Sequence, residues 1–497
     1  MNGLMLAPIV IALSAAAPQA ASSAPASGAS FTSGDLAGAW AGTLTHEGET
    51  TRVGFEFEPS PDGQVLIKAT IPVVHLAGAT LGRAPLQVEG AEVHLGPLGF
   101  TYDAAAGTLT GTMPEGLVPV YRIPVVLHRL DRPSPAAPRP RPGGAAATPA
   151  WTFEAGAPLW AGAAFADGVV YAGAEDGRLH ALEAATGRLL WSFRAGGPIR
   201  TRAAVADGGV FFQADDGFLY RIASASGEER WRVRLVEKPI ERLPFDDPKS
   251  RHDRFGSDVS LSGGRLFVGT HDGRVLALDP AWGEKLWEFA AADSVLAAPA
   301  VDSGRVYFGA YDRHMYAVDA ATGTLLWKRD TGGAVVSTPA VHGDRIVVGT
   351  RAYDLLGLDA KTGEVAWKRY VWFSWVESSA AIRDGIAYVG SSDAAAVRAL
   401  EARTGRPLWT ADVYGWAWGR PAVTADRVYV GTASQKGYVA GHRGLVIALD
   451  RETGRPLWHH VAPAADSGSF GFPGSPAVGA GLVFVTGLDG RVYAFAA

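Results

Sequence analysis

Two stretches of this 497-residue chain concentrate side chains able to hold a ligand, Trp372-Phe-Ser-Trp375-Val-Glu377 and Tyr414-Gly-Trp416-Ala-Trp418-Gly-Arg420. Indole faces beside a guanidinium and a carboxylate could hold a sugar, a planar ligand or a peptide through stacking, cation–π attraction and hydrogen bonds. Counting a fixed distance from a recurring tryptophan adds Arg202, Asp258, Ser378 and Ser475 as positional equivalents of Arg420, with Glu377 one residue before Ser378. The competing expectation is that the same aromatics pack between structural units and plug a rim, their charged neighbours pairing internally.

Other chemistry is sparse. There is no Gly-x-Ser-x-Gly nucleophile elbow, no phosphate-cradling Gly-x-x-x-x-Gly-Lys loop and no calcium loop of the EF-hand type. His459-His460 and His252-Asp253 are adjacent pairs without a third ligand at a recognisable spacing, so they read as isolated surface histidines and no metal site is expected. A net charge of −5 and a pI near 6.2 provide no basic field for nucleic acid.

The tryptophan that supplies the count recurs at Trp191, Trp231, Trp287, Trp327, Trp367, Trp409 and Trp458, each with a glycine four positions earlier. The full unit reads Ala317-x-Asp319-x-x-Thr322-Gly323-x-x-x-Trp327, and recurs as Ala181 to Trp191, Gly357 to Trp367, Ala399 to Trp409 and Ala448 to Trp458. The unit around Trp231 keeps Ser226 and Gly227 but lacks the acid. Within each unit of about 40 residues, four short β-rich runs alternate with Gly and Asp turns, which predicts one four-stranded blade of a β-propeller. The last unit ends at Arg491-Val-Tyr-Ala-Phe495 without its fourth strand, while Ala150-Trp151-Thr-Phe153 stands alone 40 residues before Trp191. Pairing the two predicts an eight-bladed propeller over 150–497, closed by the 150–153 strand, so that no large sheet edge stays exposed. All eight tryptophans, Trp151 included, are expected to be structural docking residues.

This unit resembles the tryptophan-docking repeat of the pyrroloquinoline-quinone-like eight-bladed propellers. The resemblance implies a tryptophan wedged between neighbouring blades and a turn tied by the Asp and Thr. One branch of that family comprises quinone-dependent alcohol and sugar dehydrogenases; another, the BamB-like branch, keeps the propeller without cofactor or reaction. The resemblance to the dehydrogenases implies adjacent cysteines and an asparagine among the metal ligands, whereas this chain has no cysteine and no asparagine beyond Asn2. No cofactor is therefore expected, with the quinone and calcium (PQQ with Ca) as the alternative. An acylated cysteine, the tether of the assembly lipoprotein, is also unavailable, so no lipid anchor through Cys is expected.

Ahead of the propeller, residues 1–24 read as a signal peptide and flexible start: Leu4 to Ala17 is apolar, too short to span a bilayer, and followed by small-residue cleavage sites. A periplasmic or secreted location follows. Residues 35–130 alternate apolar and polar side chains, as in Val53-Gly-Phe55-Glu-Phe57, which predicts a small all-β barrel or sandwich. Gly38-Ala-Trp40-Ala-Gly42-Thr-Leu44 and Leu109-Thr-Gly-Thr112 are similar to the β domain preceding some exported serine hydrolases. Residues 131–149 are proline-rich and read as an extended spacer.

Strand parity sets the expected binding face, because interblade loops and the loops between second and third strands emerge together. Extra length gathers there, at Val236 to Asp253, Ser434 to Arg443 and Ala462 to Gly474, while the opposite face keeps short turns. Long loops on one end of a rigid scaffold are where binding usually resides. The expectation is an exported, non-enzymatic propeller that recognises a protein, peptide or glycan of the cell envelope on this face. The alternatives are a cysteine-free quinone-dependent dehydrogenase and a hydrolase or lyase on a propeller scaffold. No nucleic acid and no transmembrane span are expected.

Overall fold

The structure is a computed structural model that describes residues 31–96, 98–113, 123–131, 141–244, 247, 249–463 and 468–497. The expected signal segment and residues 132–140 of the proline-rich stretch lie outside the described residues. Among the described residues no helix is long and apolar enough to cross a membrane. The chain divides into a smaller unit that ends at Arg141 and includes 437–441, and a larger unit of 142–436 and 442–497.

The smaller unit is a closed eight-stranded barrel in which each strand pairs with the next and Gly38–His46 pairs back onto Ile123–Leu130. Period-two alternation points Val53, Phe55 and Phe57 inward on one strand and Val65, Ile67, Ala69 and Ile71 on its neighbour, and all are buried. Closure brings backbones close at Gly42, where an added Cβ would lie 2.3 Å from the Val126 carbonyl oxygen. That contact explains the glycine in an otherwise filled strand.

The larger unit is an eight-bladed propeller. Seven of its sheets have four strands and one has five. In a representative blade the strands are Ala300–Asp302, Arg305–Gly309, His314–Asp319 and Leu325–Asp330, from channel to rim. The second and third strands are covered on both faces by neighbouring blades, so Val306 to Gly309 and Met315 to Val318 are buried without alternation. The outer strand is covered on one side only and alternates.

The tryptophan repeat holds adjacent blades together. Trp327 Nε1 donates to the Ala360 carbonyl of the next blade at 3.2 Å, and the same geometry recurs from Trp151 to Ala184 at 2.9 Å and from Trp409 to Arg451 at 3.0 Å. Each indole from Trp151 to Trp409 lies on a glycine of the following blade. A Cβ on Gly363, whose φ is +72°, would sit 2.6 Å from the Trp327 ring. The Gly and Trp that recur four apart therefore serve different interfaces, the glycine receiving the preceding blade's tryptophan. Inside the turn, Asp319 Oδ1 accepts the Ala321 and Thr322 N–H groups, both at 2.9 Å, and the Thr322 hydroxyl at 3.0 Å.

The ring closes where Trp151–Glu154 forms the outer strand beside Arg491–Ala496, with Trp151 opposite Ala494. Blade eight therefore has no Thr-Gly turn between its third and outer strands, and Trp458 packs on Phe495 instead, ring centroids 5.5 Å apart. The end of the expected spacer is also structured. Ala145–Ala146 runs parallel to Trp458 and His459 as the fifth strand of blade seven. His459 Nδ1 meets the Gly143 carbonyl and His460 Nδ1 the Ala147 carbonyl, each at 3.0 Å. The two histidines thus clasp this segment rather than standing alone on the surface.

Candidate functional site

The inner strands start at the long-loop face and line a central channel. Residues from all eight blades, from Gly162 of the first to Ser475 of the eighth, surround a narrow cavity of about 80 Å³. Arg202, Asp258, Glu377, Trp418 and Arg420 all border it, so five of the seven expected ligand-binding residues converge.

Around this cavity the backbone N–H of one blade is taken by a side chain of the next. Arg202 N donates to Asp258 Oδ1 at 2.6 Å, Ala298 N to Thr338 Oγ1 at 3.2 Å, Thr338 N to Ser379 Oγ at 2.8 Å and Arg420 N to Ser475 Oγ at 2.9 Å. Short polar residues suit these positions because an inner strand has no further strand to accept its N–H. The channel residue of blade six is therefore Ser379. Ser378, the residue reached by counting, is buried in the wall and donates to the Gly419 carbonyl at 2.9 Å.

Asp258 is the one carboxylate of this hydrogen-bonded set. Burial raises its carboxyl to about 6, against the lowering effects of the Arg202 N–H and of the Arg202 charge. A pKa raised on folding means that the folded state holds the proton more tightly, so the associated stability is complete below about pH 4 and is lost as pH rises through 6. At about 1.4 kcal/mol per unit the loss is roughly 3 kcal/mol. Asp258→Asn keeps the acceptor and is expected to raise Tm at pH 8 but leave it unchanged at pH 4. An equal effect at both pH values would exclude a charge origin.

The aromatic stretches form a lid of packed side chains. Trp416 is fully buried and stacks on Trp418 with centroids 4.9 Å apart; their indole N–H groups reach Asp393 and Ser392 at 3.1 and 3.2 Å. Trp416, expected as a ligand plate, thus exposes no face to solvent and does not border the cavity. Trp375 carries the Arg351 guanidinium 4.5 Å from its ring centroid, and Arg351 pairs with Glu377 at 2.6 Å. Arg254 lies between Trp418 and Trp160, 4.8 and 5.4 Å from their centroids.

Three residues of this cluster, Trp160, Arg254 and Arg351, come from outside the expected set. Trp160 holds in blade one the place that Trp418 holds in blade seven, two residues before the channel position, but no other aromatic lies within four residues of it. Arg254 follows the long insertion of blade three. That insertion is tied down by Arg242, which makes paired contacts of 2.8 Å to both oxygens of buried Asp215, and by Arg351, which takes the His252 carbonyl at 3.2 Å. His252 is half-buried beside Trp375, and burial, helped by Arg254 and Arg351, lowers its pKa to about 4. A second long loop pairs Ala433–Gln435 with Ser469–Gly471.

Fit to a quinone held by calcium is poor in this arrangement. Glu377 is engaged by Arg351, Asp258 spends one oxygen on a backbone N–H, and Arg254 fills the space between the two indoles. Among the described residues no three His, Asp or Glu side chains converge as a cation would require.

A family profile described as outer membrane protein assembly factor BamB matches residues 145–244, 219–381 and 371–497. A 120-residue stretch is 36% identical to quinohemoprotein alcohol dehydrogenase of Comamonas testosteroni, covering 24% of this chain and 17% of that protein. The chain thus matches well under two thirds of that relative's length. Among solved structures, BamB from Moraxella catarrhalis superposes with a TM-score of 0.54 at 19% identity, over 71% of this chain and 100% of that one. The Comamonas testosteroni dehydrogenase superposes with a TM-score of 0.54 at 14% identity, over 70% and 76% of the respective chains. At these identities the structural likeness concerns the fold alone. The profile matches, however, overlap without a gap from Ala145 to Ala497 over the tryptophan-docking repeat, and the chain belongs to the BamB family of quinone-type β-propellers.

Proposed function

We propose that this protein is an exported, non-enzymatic scaffold, a β domain over 35–130 and a propeller over 150–497, that binds a protein or peptide of the periplasm or cell surface on its long-loop face. The observation that carries this reading is the use made of the insertion between blades two and three. Instead of opening a reaction chamber, it packs paired charges beside the channel and borders a pocket of about 300 Å³ next to Trp160, Leu243 and Pro244. Leu243 is 40% exposed, and an apolar side chain next to an indole and flanking charges suits an anchor residue of a peptide. Family membership supports the same reading, since the matching profile is described as an assembly factor.

A photo-crosslinking amino acid at position 243, compared with one at exposed position 403, tests the face. Leu243 lies on the insertion and Arg403 in a short turn of the opposite face. Capture of a discrete envelope partner from 243 and not from 403 is the expected result. The same partner captured from 403 alone would overturn the assignment. A second reading, a quinone-dependent dehydrogenase, draws on the 36% identity with part of an alcohol dehydrogenase. Stoichiometric quinone uptake with a divalent cation and dye-linked alcohol oxidation would establish it.

A further inference from the structure

Towards the long loops the channel is crowded by Arg254 between Trp160 and Trp418, and towards the short turns it widens. Below the narrow cavity lies a wider one of about 420 Å³, lined by inner-strand residues such as Ser262, Asp302 and Ile382 beside the short-turn face. Arg420 borders both cavities, so the two meet at its side chain. Its side chain is exposed to solvent although protein surrounds it.

The charges in this chamber do not balance. Glu377 is engaged by Arg351, and Arg200 by Glu175 and, at 3.5 Å, Asp215. Arg202 and Arg420 have no carboxylate at ion-pairing distance among the described residues, and Arg202 Nε is buried without a hydrogen-bond partner. Burial and the charge of Arg202 both hold the Arg420 pKa below its usual value. Two guanidiniums thus lie in one another's field, with Asp258 in the narrow cavity and Asp302 in the wider one as carboxylates that line the space without pairing with either. The hydroxyls complete the pattern. Thr338, Ser379 and Ser475 each accept a backbone N–H through the oxygen, which leaves the O–H proton to donate into the chamber.

We propose that this chamber binds a small oxyanion, of the carboxylate or phosphate class, held between Arg202 and Arg420 with hydroxyl donors from blades five, six and eight, and entering from the short-turn face. Guanidiniums and hydroxyls present only donors, and an anion both supplies the missing acceptors and relieves the repulsion between the two cations. A neutral sugar would do neither. The site is independent of the long-loop face and stands whether or not a partner docks there.

Calorimetric titration of the full chain with inorganic phosphate and, separately, acetate, at constant ionic strength, tests the proposal. Saturable binding of at least one is expected, and the tighter of the two names the class. Arg202→Gln and Arg420→Gln should each weaken it by about tenfold or more, whereas Arg230→Gln on an exposed outer strand should not. Because each channel substitution removes an uncompensated charge, neither should lower Tm in the absence of the anion, which separates loss of the site from loss of the fold. No saturable binding of either anion, or equal binding by the Arg202→Gln/Arg420→Gln double variant, would overturn the proposal.

Discussion

Trp327→Ala is expected to cost about 3–5 kcal/mol of stability, the range for emptying a large aromatic site. Three losses combine at this position: an indole that is 9% exposed, its hydrogen bond to the Ala360 carbonyl at 3.2 Å, and its contact with Gly363. The glycine cannot fill the vacancy because it has no side chain to move, and Tyr307, 6.0 Å away between centroids, is held by its own hydroxyl on the same carbonyl at 3.1 Å. The interface between blades four and five would keep its apolar strands but lose its outer wedge. Trp282→Ala provides the comparison, since Trp282 is 75% exposed in the turn of blade three and should change stability by less than about 0.5 kcal/mol. Denaturant unfolding of both variants checks this; similar losses in the two would mean that the docking position carries no special weight.

That contrast also shows what the sequence could express. The repeat is written in residue types that no other arrangement needs: a glycine that must receive an indole, an acid and a threonine that cap a turn, and two runs buried on both faces. Its period made the blade number and the Trp151 closure legible. Counting along that period also brought Arg202, Asp258 and Arg420 to one cavity, because inner-strand positions inherit the regularity of the blades. It failed by one residue at Ser378, where blade six departs from the spacing and Ser379 enters the channel. The composition of the aromatic stretches did not reveal whether indoles face a ligand or each other. Trp416 and Trp418 stack because the Ser392-Asp393 loop offers partners for both N–H groups, a tertiary fact with no local signature. Arg254 and Trp160 were illegible for the same reason, being joined across about one hundred residues by the path of an insertion. The strand at Ala145–Ala146 was hidden by its small side chains, which pair through backbone alone.

Arg242→Met is expected to release that insertion. Arg242 and Asp215 are each nearly buried, with side-chain exposures of 8%, and their two 2.8 Å contacts fix the middle of the loop to blade two. Removing one partner of a buried pair usually costs about 3–5 kcal/mol, mostly by stranding the other charge. Here Arg200 remains 3.5 Å from Asp215 Oδ2, which places the expected cost near the lower end of that range. The backbone carbonyl of Phe255 also loses its guanidinium contact at 3.3 Å, so loosening should spread towards Arg254 and the channel lid. Hydrogen exchange should therefore show lost protection across residues 240–243 and 249–255 while the blade strands keep theirs. Asp215→Asn in the same chain removes the stranded charge and should recover part of the stability without restoring the protection, since the tether itself is gone. If 240–243 and 249–255 exchange as slowly in Arg242→Met as in the parent, the lid is held by aromatic packing and not by this ion pair, and a partner docking at Leu243 would meet a surface that charge substitutions cannot open.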